Sequence, residues 1–148
     1  MFKQDTGLMY DRVIIPTDGS DIAEIGVEEG LNLAKNLDIP ALCIYVIDIS
    51  TLEELDGGKQ HDARKGIKNV GEKALTEVRK KAHEMGVEIK TKNLLGKPHE
   101  RIVDSATEKD IIYMSSHGAS GFSEIVFGST TERVVKNADC TVAVVKAR

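Results

Sequence analysis

One stretch of this chain, MSSHGASGFSEIVFGSTT at residues 114–131, decides the fold. The apolar run 111–114 before it is typical of a buried strand, and residues 132–138 after it have the pattern of a short amphipathic helix. The stretch itself is rich in glycine and hydroxyl residues, whose backbone can come close to a ligand at the positive end of a helix. This pattern predicts a phosphate-binding loop. The alternative is a plain glycine-rich connection, with a helix that Ser129 and Glu132 cap.

Strand and helix patterns alternate along the rest of the chain. Apolar runs predict strands at 13–15, 41–47, 110–114 and 141–145, and alternation of apolar and polar residues predicts a strand near a sheet edge at 87–95. Helical spacing predicts helices at 21–37, 62–85, 98–106 and 132–138. Strands this apolar are covered on both faces, so we expect an α/β fold with a parallel sheet between two layers of helices. Gly26 and Gly30 lie on the apolar face of the first helix, where they lower helix propensity. Their presence predicts close packing of this helix against the sheet.

The segment 48–65 is polar and contains Gly57 and Gly58. It is the best candidate in the chain for a mobile flap, with a plain surface excursion as the alternative. In the helix that follows, the apolar residues recur at helical spacing. The predicted core stripe of that helix is Ile67, Val70, Ala74, Val78, Ala82 and Met85.

Composition excludes several classes of function. The 148 residues are 41% hydrophobic and 30% charged, with a net charge of −4 and no tryptophan, so the chain lacks the basic, aromatic surface of nucleic-acid-binding proteins. Its longest apolar run, 41–47, is too short to cross a membrane. The two cysteines form no disulfide framework. We therefore expect a single domain over residues 1–148 with a flexible lead at 1–11, a cytoplasmic location, and no nucleic-acid or membrane partner.

Polar residues follow three of the predicted strands: Thr17 and Asp18 after the first, Asp48 after the second, and Ser115 after the fourth. In a parallel sheet, ligands bind beyond the carboxyl ends of the strands, where the strand order reverses. If the first and fourth strands are neighbours, Asp18 and the glycine-rich stretch share one crevice. Asp18 then either contacts a ligand or only closes a turn. His117 either contacts a phosphate or is a hydrogen-bonded spacer.

The chain lacks the sequence signatures of common nucleotide-dependent and hydrolytic enzymes, including the Walker A motif, the GxGxxG fingerprint and the nucleophile elbow. Its scattered histidines have no metal-site spacing. No lysine or arginine lies between Met114 and Glu132 to stabilise charge on a transferred phosphate. Bound Mg²⁺, held mainly by the phosphates, would have to supply that charge. We expect nucleotide binding with at most slow hydrolysis, no catalytic residue and no protein metal site.

Four motifs in order resemble the universal stress protein family: PTDGS at 16–20, YVID at 45–48, GKPHERIV at 96–103, and Gly118 followed after nine residues by Gly128 and Ser129. The resemblance covers residues 11–146. It implies a doubly wound five-stranded parallel sheet of order 3-2-1-4-5 with helices on both faces. The nucleotide signature of that family is a glycine, two residues, a second glycine, nine residues, and a glycine followed by serine or threonine. Ser115 stands at the position of its first glycine. If that position needs a positive φ, serine costs about 1–2 kcal/mol there.

The resemblance also implies an ATP site and a homodimer. The residues near adenine and ribose are Pro16, Thr17, Asp18, Val46 and Met114, and those near the triphosphate are Ser115, Gly118, Gly128, Ser129 and Thr130, with His117 as a candidate phosphate contact. The homodimer is joined through the last strand, at Thr141, Val142, Ala143, Val144 and Val145.

We therefore predict an ATP-binding, stress-response regulatory domain. With Mg²⁺ it acts as a dimeric, nucleotide-dependent switch that an unknown protein partner reads. Two alternatives stay open at this point. One is a nucleotide-free dimeric scaffold of the same family, and the other is a weak ATPase or phosphotransfer enzyme.

Overall fold

Five parallel strands form one sheet in the computed structural model, which describes residues 10–53, 55–116 and 127–146. The elements in chain order are β1 (Arg12–Thr17), α1 (Asp21–Leu37), β2 (Ala41–Asp48), a 3₁₀ turn (Ile49–Thr51), α2 (Gly57–Met85), β3 (Ile89–Gly96), α3 (Pro98–Ser105), β4 (Asp110–Ser115), α4 (Ser129–Asn137) and β5 (Thr141–Val145). The strand order is β3-β2-β1-β4-β5, and every neighbouring pair is parallel. The predicted fold class and strand order are confirmed.

Helices cover both faces of the sheet because successive strand residues point to opposite sides. Val13 and Ile15 of β1 pack with α1 and α2 in one core cluster, whereas Ile14 packs with α3 and α4 in the other. All three side chains have no exposed area. Of the predicted lead 1–11, residues 1–9 lie outside the described residues, and Tyr10 packs against the first cluster.

Helix α1 lies unusually close to the sheet. The Ser20 hydroxyl caps its start by accepting from the Ala23 N–H at 3.2 Å. A Cβ added at Gly26 would lie 3.0 Å from the backbone nitrogen of Ser115, and one at Gly30 would lie 2.9 Å from Ile15 Cδ1. The close approach predicted from these two glycines is confirmed.

Helix α2 begins earlier than its sequence pattern predicts. Asp56 caps it by accepting from the Lys59 N–H at 3.0 Å, so Gly57 is the first helical residue and the prediction of a flap through residue 65 is wrong there. At 1.5 Å per residue its 29 residues span about 43 Å, whereas the eight residues of β3 span about 26 Å. The first half of α2 therefore overhangs the sheet. The buried face of α2 consists of Gly71, Leu75, Val78 and Ala82, so Val70, which was predicted to lie in the core, points off this face and is 60% exposed.

An ion pair joins the amino ends of β1 and β4. It lies at the end of the sheet away from the carboxyl strand ends, where the sequence predicts a ligand site. Arg12 and Asp110 are partners in the strand register. The guanidinium donates from Nε to Asp110 Oδ1 at 3.1 Å and from Nη2 to Oδ2 at 2.8 Å. Asp110 is 1% exposed. Its burial opposes ionisation, but the hydrogen bonds from Arg12 and Thr107 outweigh that effect and hold the pKa of Asp110 below its ordinary value.

Candidate functional site

A cleft of about 330 Å³ opens at the carboxyl ends of β1, β2 and β4, where the strand order reverses. This is the position that parallel sheets of this type use for ligands. The residues that line it are Pro16, Thr17, Asp18, Ala23, Ile44, Val46, Asp48, Pro98, Ile102, Met114, Ser115, Gly128, Ser129, Thr130 and Thr131.

The end of β1 forms the floor of the cleft through a tight turn. Gly19 has a φ of 79°, and its N–H donates to Thr17 Oγ1 at 3.1 Å. Asp18 Oδ1 accepts from the Ser20 N–H at 2.9 Å, which closes an Asx turn before α1. Asp18 therefore closes the turn and also lines the cleft, so the two interpretations of this residue are compatible.

The amino end of α4 forms one wall of the cleft. Gly128 is the N-cap residue, and no side chain caps the helix, so the predicted capping box of Ser129 and Glu132 is wrong. The reason is that the helix starts one residue earlier, at Ser129. The Thr131 hydroxyl ties this turn to the sheet by donating to the Ser115 carbonyl at 3.1 Å. The positive end of the α4 dipole thus faces the cleft, a favourable place for an anionic group.

A second wall of the cleft is apolar. Ile44 and Val46 from β2 face Ile102 from α3, and Pro98 occupies the first turn of α3, where its fixed φ suits a helix start. Ile44, Ile102 and the nearby Met114 are buried. A planar aromatic ring would find apolar contacts on this side of the cleft.

Asp48 ends β2 at the rim of the apolar wall. Its Oδ1 accepts from the Ser50 N–H at 2.9 Å and from the Ser50 hydroxyl at 2.7 Å. The Thr51 hydroxyl donates to the Asp48 carbonyl at 2.7 Å. These bonds fix the 3₁₀ turn and with it the direction of the carboxylate.

Every predicted nucleotide-binding residue that the structure describes lines this cleft. They are Pro16, Thr17, Asp18, Val46, Met114, Ser115, Gly128, Ser129 and Thr130. His117 and Gly118 lie outside the described residues. Sequence reasoning did not include six lining residues in the site, namely Ala23, Ile44, Asp48, Pro98, Ile102 and Thr131. A signal existed for Pro98, because a helix that starts after the third strand must begin at the same edge of the sheet as the crevice.

Ser115 is compatible with its position in the cleft. Among the described residues, Asp38 alone combines a side chain beyond glycine with a positive φ, so Ser115 does not adopt the conformation in which serine would be strained. The small residue at this position is matched by Gly26 of α1, which lies against its backbone nitrogen. The 1–2 kcal/mol cost considered above therefore does not arise.

The charges that line the cleft are negative. Asp18 and Asp48 are its two charged residues among those the structure describes. Within that same part of the chain, no group of three or more histidine, cysteine, aspartate or glutamate side chains is placed to hold a metal ion. Cys43 lies nearby on β2, but burial raises the pKa of its thiol to about 12, so it is not a thiolate nucleophile. Across residues 10–53, 55–116 and 127–146, no helix has the length and hydrophobicity needed to span a bilayer.

Comparison with known proteins identifies relatives over nearly the whole chain. The model of the universal stress protein family matches residues 9–146. Universal stress protein MJ0531 of Methanocaldococcus jannaschii is 40% identical over 141 residues, which cover 93% of this chain and 83% of that protein. The solved structure of hypothetical protein MJ0577 aligns with a TM-score of 0.80 and 28% identity, over 95% of this chain and 98% of that one.

Two more distant solved structures are nucleotide complexes. One is a universal stress protein in complex with cAMP, with a TM-score of 0.66, 20% identity and coverage of 93% of this chain and 98% of that one. The other is a universal stress protein family protein from Arabidopsis thaliana with AMP bound, with a TM-score of 0.61, 18% identity and coverage of 93% and 92%. At these identities the likeness establishes the shared fold.

Proposed function

Because the chain belongs to the universal stress protein family, we propose that it binds an adenine nucleotide in the cleft at the carboxyl ends of β1, β2 and β4. One observation carries the proposal: a single cleft joins an apolar wall to a helix amino end that no side chain caps. The apolar wall suits a purine base, and the start of α4 suits a phosphate. Related folds with cAMP or AMP bound support the same ligand class.

Within that class, the nucleotide we propose is ATP with Mg²⁺. Its phosphates would lie at Gly128, Ser129 and Thr130, with the glycine-rich stretch that contains His117 and Gly118 beside them. No lysine or arginine lies between Met114 and Glu132, and the charged groups that line the described cleft are acidic. Mg²⁺ held mainly by the phosphates would offset this negative charge. We propose a regulatory domain with at most slow hydrolysis, a cytoplasmic location and a protein partner that reads the nucleotide state.

Thermal unfolding tests the nucleotide proposal. Nucleotide-stripped protein should be stabilised by about 2.7 kcal/mol when Mg-ATP is present at about 100 times its dissociation constant. For a chain of this length, that corresponds to a shift in Tm of roughly 5–11 °C. Gly128→Val should abolish the shift, because the added side chain enters the cleft at the start of α4. The backbone of Gly128, with φ −62°, has a conformation that valine also adopts.

Gly57→Val is the matched control for this experiment. Gly57 also lies at a helix start, a Cβ there would meet no atom within 4 Å, and it does not line the cleft. This variant should keep the full shift. A folded wild-type protein with no shift for any adenine nucleotide would refute the proposal and favour a nucleotide-free scaffold. Steady turnover of ATP that Gly128→Val abolishes would instead favour a weak ATPase or phosphotransfer enzyme.

The second part of the proposal is a homodimer through β5. The two edges of the sheet differ in charge: β3 carries the exposed Lys90 and Lys92, whereas Thr141–Val145 has no charged residue. Lysines on an edge strand oppose pairing with another chain, and an uncharged edge permits it. Two copies of β5 would extend the sheet across the dimer.

Proline at position 142 tests this interface and leaves the hydrogen bonds between β4 and β5 in place. Ser116 donates to the Val145 carbonyl at 2.8 Å, so the backbone groups of Val145 and Ala143 face β4 while those of Val142 face outward. Val142→Pro should therefore fold and be a monomer in sedimentation or light scattering. Leu95→Pro, on the outward side of the β3 edge, should remain a dimer. A monomeric wild-type protein, or dimeric Val142→Pro, would contradict the proposed interface.

A further inference from the structure

Asp48 has a position in the cleft that points to a specific ligand group. It is the last residue of β2, and β2 is the direct neighbour of β1 on the side of the apolar wall. In α/β folds that bind dinucleotides, an acidic residue after the strand next to the first strand accepts hydrogen bonds from ribose hydroxyls. Asp48 occupies the corresponding place in this sheet.

The carboxylate of Asp48 is held in a fixed direction. Both hydrogen bonds that its side chain receives from the described residues end on Oδ1, and both come from Ser50. This arrangement leaves Oδ2 to accept from a ligand in the cleft, which Asp48 lines. Because the group is already oriented, little side-chain freedom would be lost when a ligand binds.

The distribution of charge in the cleft gives the ligand one orientation. An ionised carboxylate is an acceptor only, so it attracts hydroxyl and amine donors and repels phosphates. The start of α4, at the other wall, has the opposite preference. A nucleotide would therefore place its phosphates at Ser129 and Thr130 and its sugar hydroxyls towards Asp48.

We infer that Asp48 reads the 2′,3′-diol of the ribose and makes the cleft selective for nucleotides that carry a free diol. The inference rests on the proposed nucleotide function and deepens it. It implies discrimination against 2′,3′-dideoxy nucleotides, which lack the donors, and against 3′,5′-cyclic nucleotides, in which the 3′ oxygen belongs to a charged phosphodiester.

Calorimetric titration with three ligands tests the inference: AMP, 2′,3′-dideoxy-AMP and 3′,5′-cyclic AMP. Wild-type protein should bind AMP about ten- to a hundredfold more tightly than dideoxy-AMP, the range expected for hydrogen bonds to a charged group. In Asp48→Asn this ratio should fall to about threefold or less, because the charge is lost while the size of the side chain is kept. The preference for AMP over the cyclic nucleotide should fall with it.

Two further variants separate a specific role from a structural one. Asp38→Asn makes the same chemical change at the far end of α1, where the φ of 56° suits asparagine, and it should keep the wild-type ratios. Ser50→Ala removes one of the two bonds that orient the carboxylate and should give an intermediate ratio. Asp18→Asn, at the other acidic position that lines the cleft, should lower the AMP to dideoxy-AMP ratio less than Asp48→Asn does.

The outcomes distinguish this inference from the proposed function. Equal affinity of wild-type protein for AMP and dideoxy-AMP would overturn the diol assignment and leave nucleotide binding intact. The assignment would also fail if Asp48→Asn weakened all three ligands equally, since Asp48 would then only shape the cleft. Loss of the discrimination in Asp18→Asn alone would move the role to Asp18. Failure of every ligand to bind folded protein would refute both the inference and the nucleotide function.

Discussion

Arg12→Met should lower the free energy of unfolding at neutral pH by about 3–5 kcal/mol, the cost of leaving a buried charge without its partner. The change removes two hydrogen bonds to a carboxylate that is 1% exposed, and a third from Arg12 Nη2 to the Ser105 carbonyl at 3.2 Å. Thr107 still donates its N–H to Asp110 Oδ2 at 2.8 Å, but it brings no charge. Chemical denaturation measures the loss. The dependence of the unfolding free energy on denaturant concentration (the m value) is held constant between the variants.

The pH dependence of this loss follows from the direction of the Asp110 pKa. The folded protein lowers that pKa, so the ion pair stabilises the fold above the unfolded-state value of about 4 and ceases to do so as the pH falls through the lower, folded-state value. The difference in stability between wild type and Arg12→Met should therefore be largest near neutral pH. It should shrink in acid, because a protonated Asp110 needs no cation.

Two variants control this experiment. Arg133→Met removes an arginine from an exposed position on α4 and should change stability by less than about 0.5 kcal/mol. Asp110→Asn keeps the shape of the side chain but removes its charge, and it should abolish the acid-dependent part of the difference. The ion pair would not be the cause of the destabilisation if Arg12→Met lowered the free energy of unfolding by less than about 1 kcal/mol at neutral pH, or by as much in acid as at neutral pH.

The sequence predicted the architecture well because the fold depends on patterns that are local and repeated. Four apolar runs and one alternating segment, all too short for helices and separated by helical spacing, are sufficient to predict a parallel sheet covered on both faces. The strand order itself came from the resemblance to a family. The Arg12–Asp110 pair depends on which residues of β1 and β4 are in register, and periodicity within one strand does not contain that information.

Helix ends were predicted less well because several residues compete to cap them. At α2, Asp56 provides a side-chain cap that outweighs the low helix propensity of Gly57 and Gly58, so the helix begins before its apolar stripe does. At α4, Gly128 takes the cap position although Ser129 is the better capping residue in isolation. The first turn of α4 therefore has no side-chain cap.

The residues of the candidate site could likewise be predicted only where the signal is local in the sequence. Residues that follow β1 and β4 were expected there because strand ends of a parallel sheet meet at one edge. Ile102 of α3 was not among the expected site residues, since spacing along a helix does not reveal which of its apolar residues faces the cleft. Asp48 is recognisable in the sequence as a polar strand end, but the direction of its carboxylate depends on the bonds from Ser50.

Gly26→Val should destabilise the protein by about 3 kcal/mol, at the upper end of the usual cost of overpacking, and lower Tm by roughly 6–12 °C. The atoms that a Cβ at Gly26 would meet all belong to the backbone: Ser115 N at 3.0 Å, Met114 C at 3.4 Å and Met114 Cα at 3.6 Å. Backbone in the middle of a sheet cannot rotate away. At Gly30 the closest atoms belong to the end of the Ile15 side chain, which can change rotamer, so Gly30→Val should cost less.

The same substitution connects packing to the proposed site. Ser115 and Met114 line the cleft, so a displaced end of β4 should weaken adenine-nucleotide binding at a temperature where the variant is still folded. Gly66→Val is the matched control, since a Cβ at Gly66 would meet nothing within 4 Å, and it should change neither stability nor affinity appreciably. If Gly26→Val lost stability and kept its nucleotide affinity, the clash would be relieved by a shift of α1 and not by displacement of the end of β4 that lines the cleft.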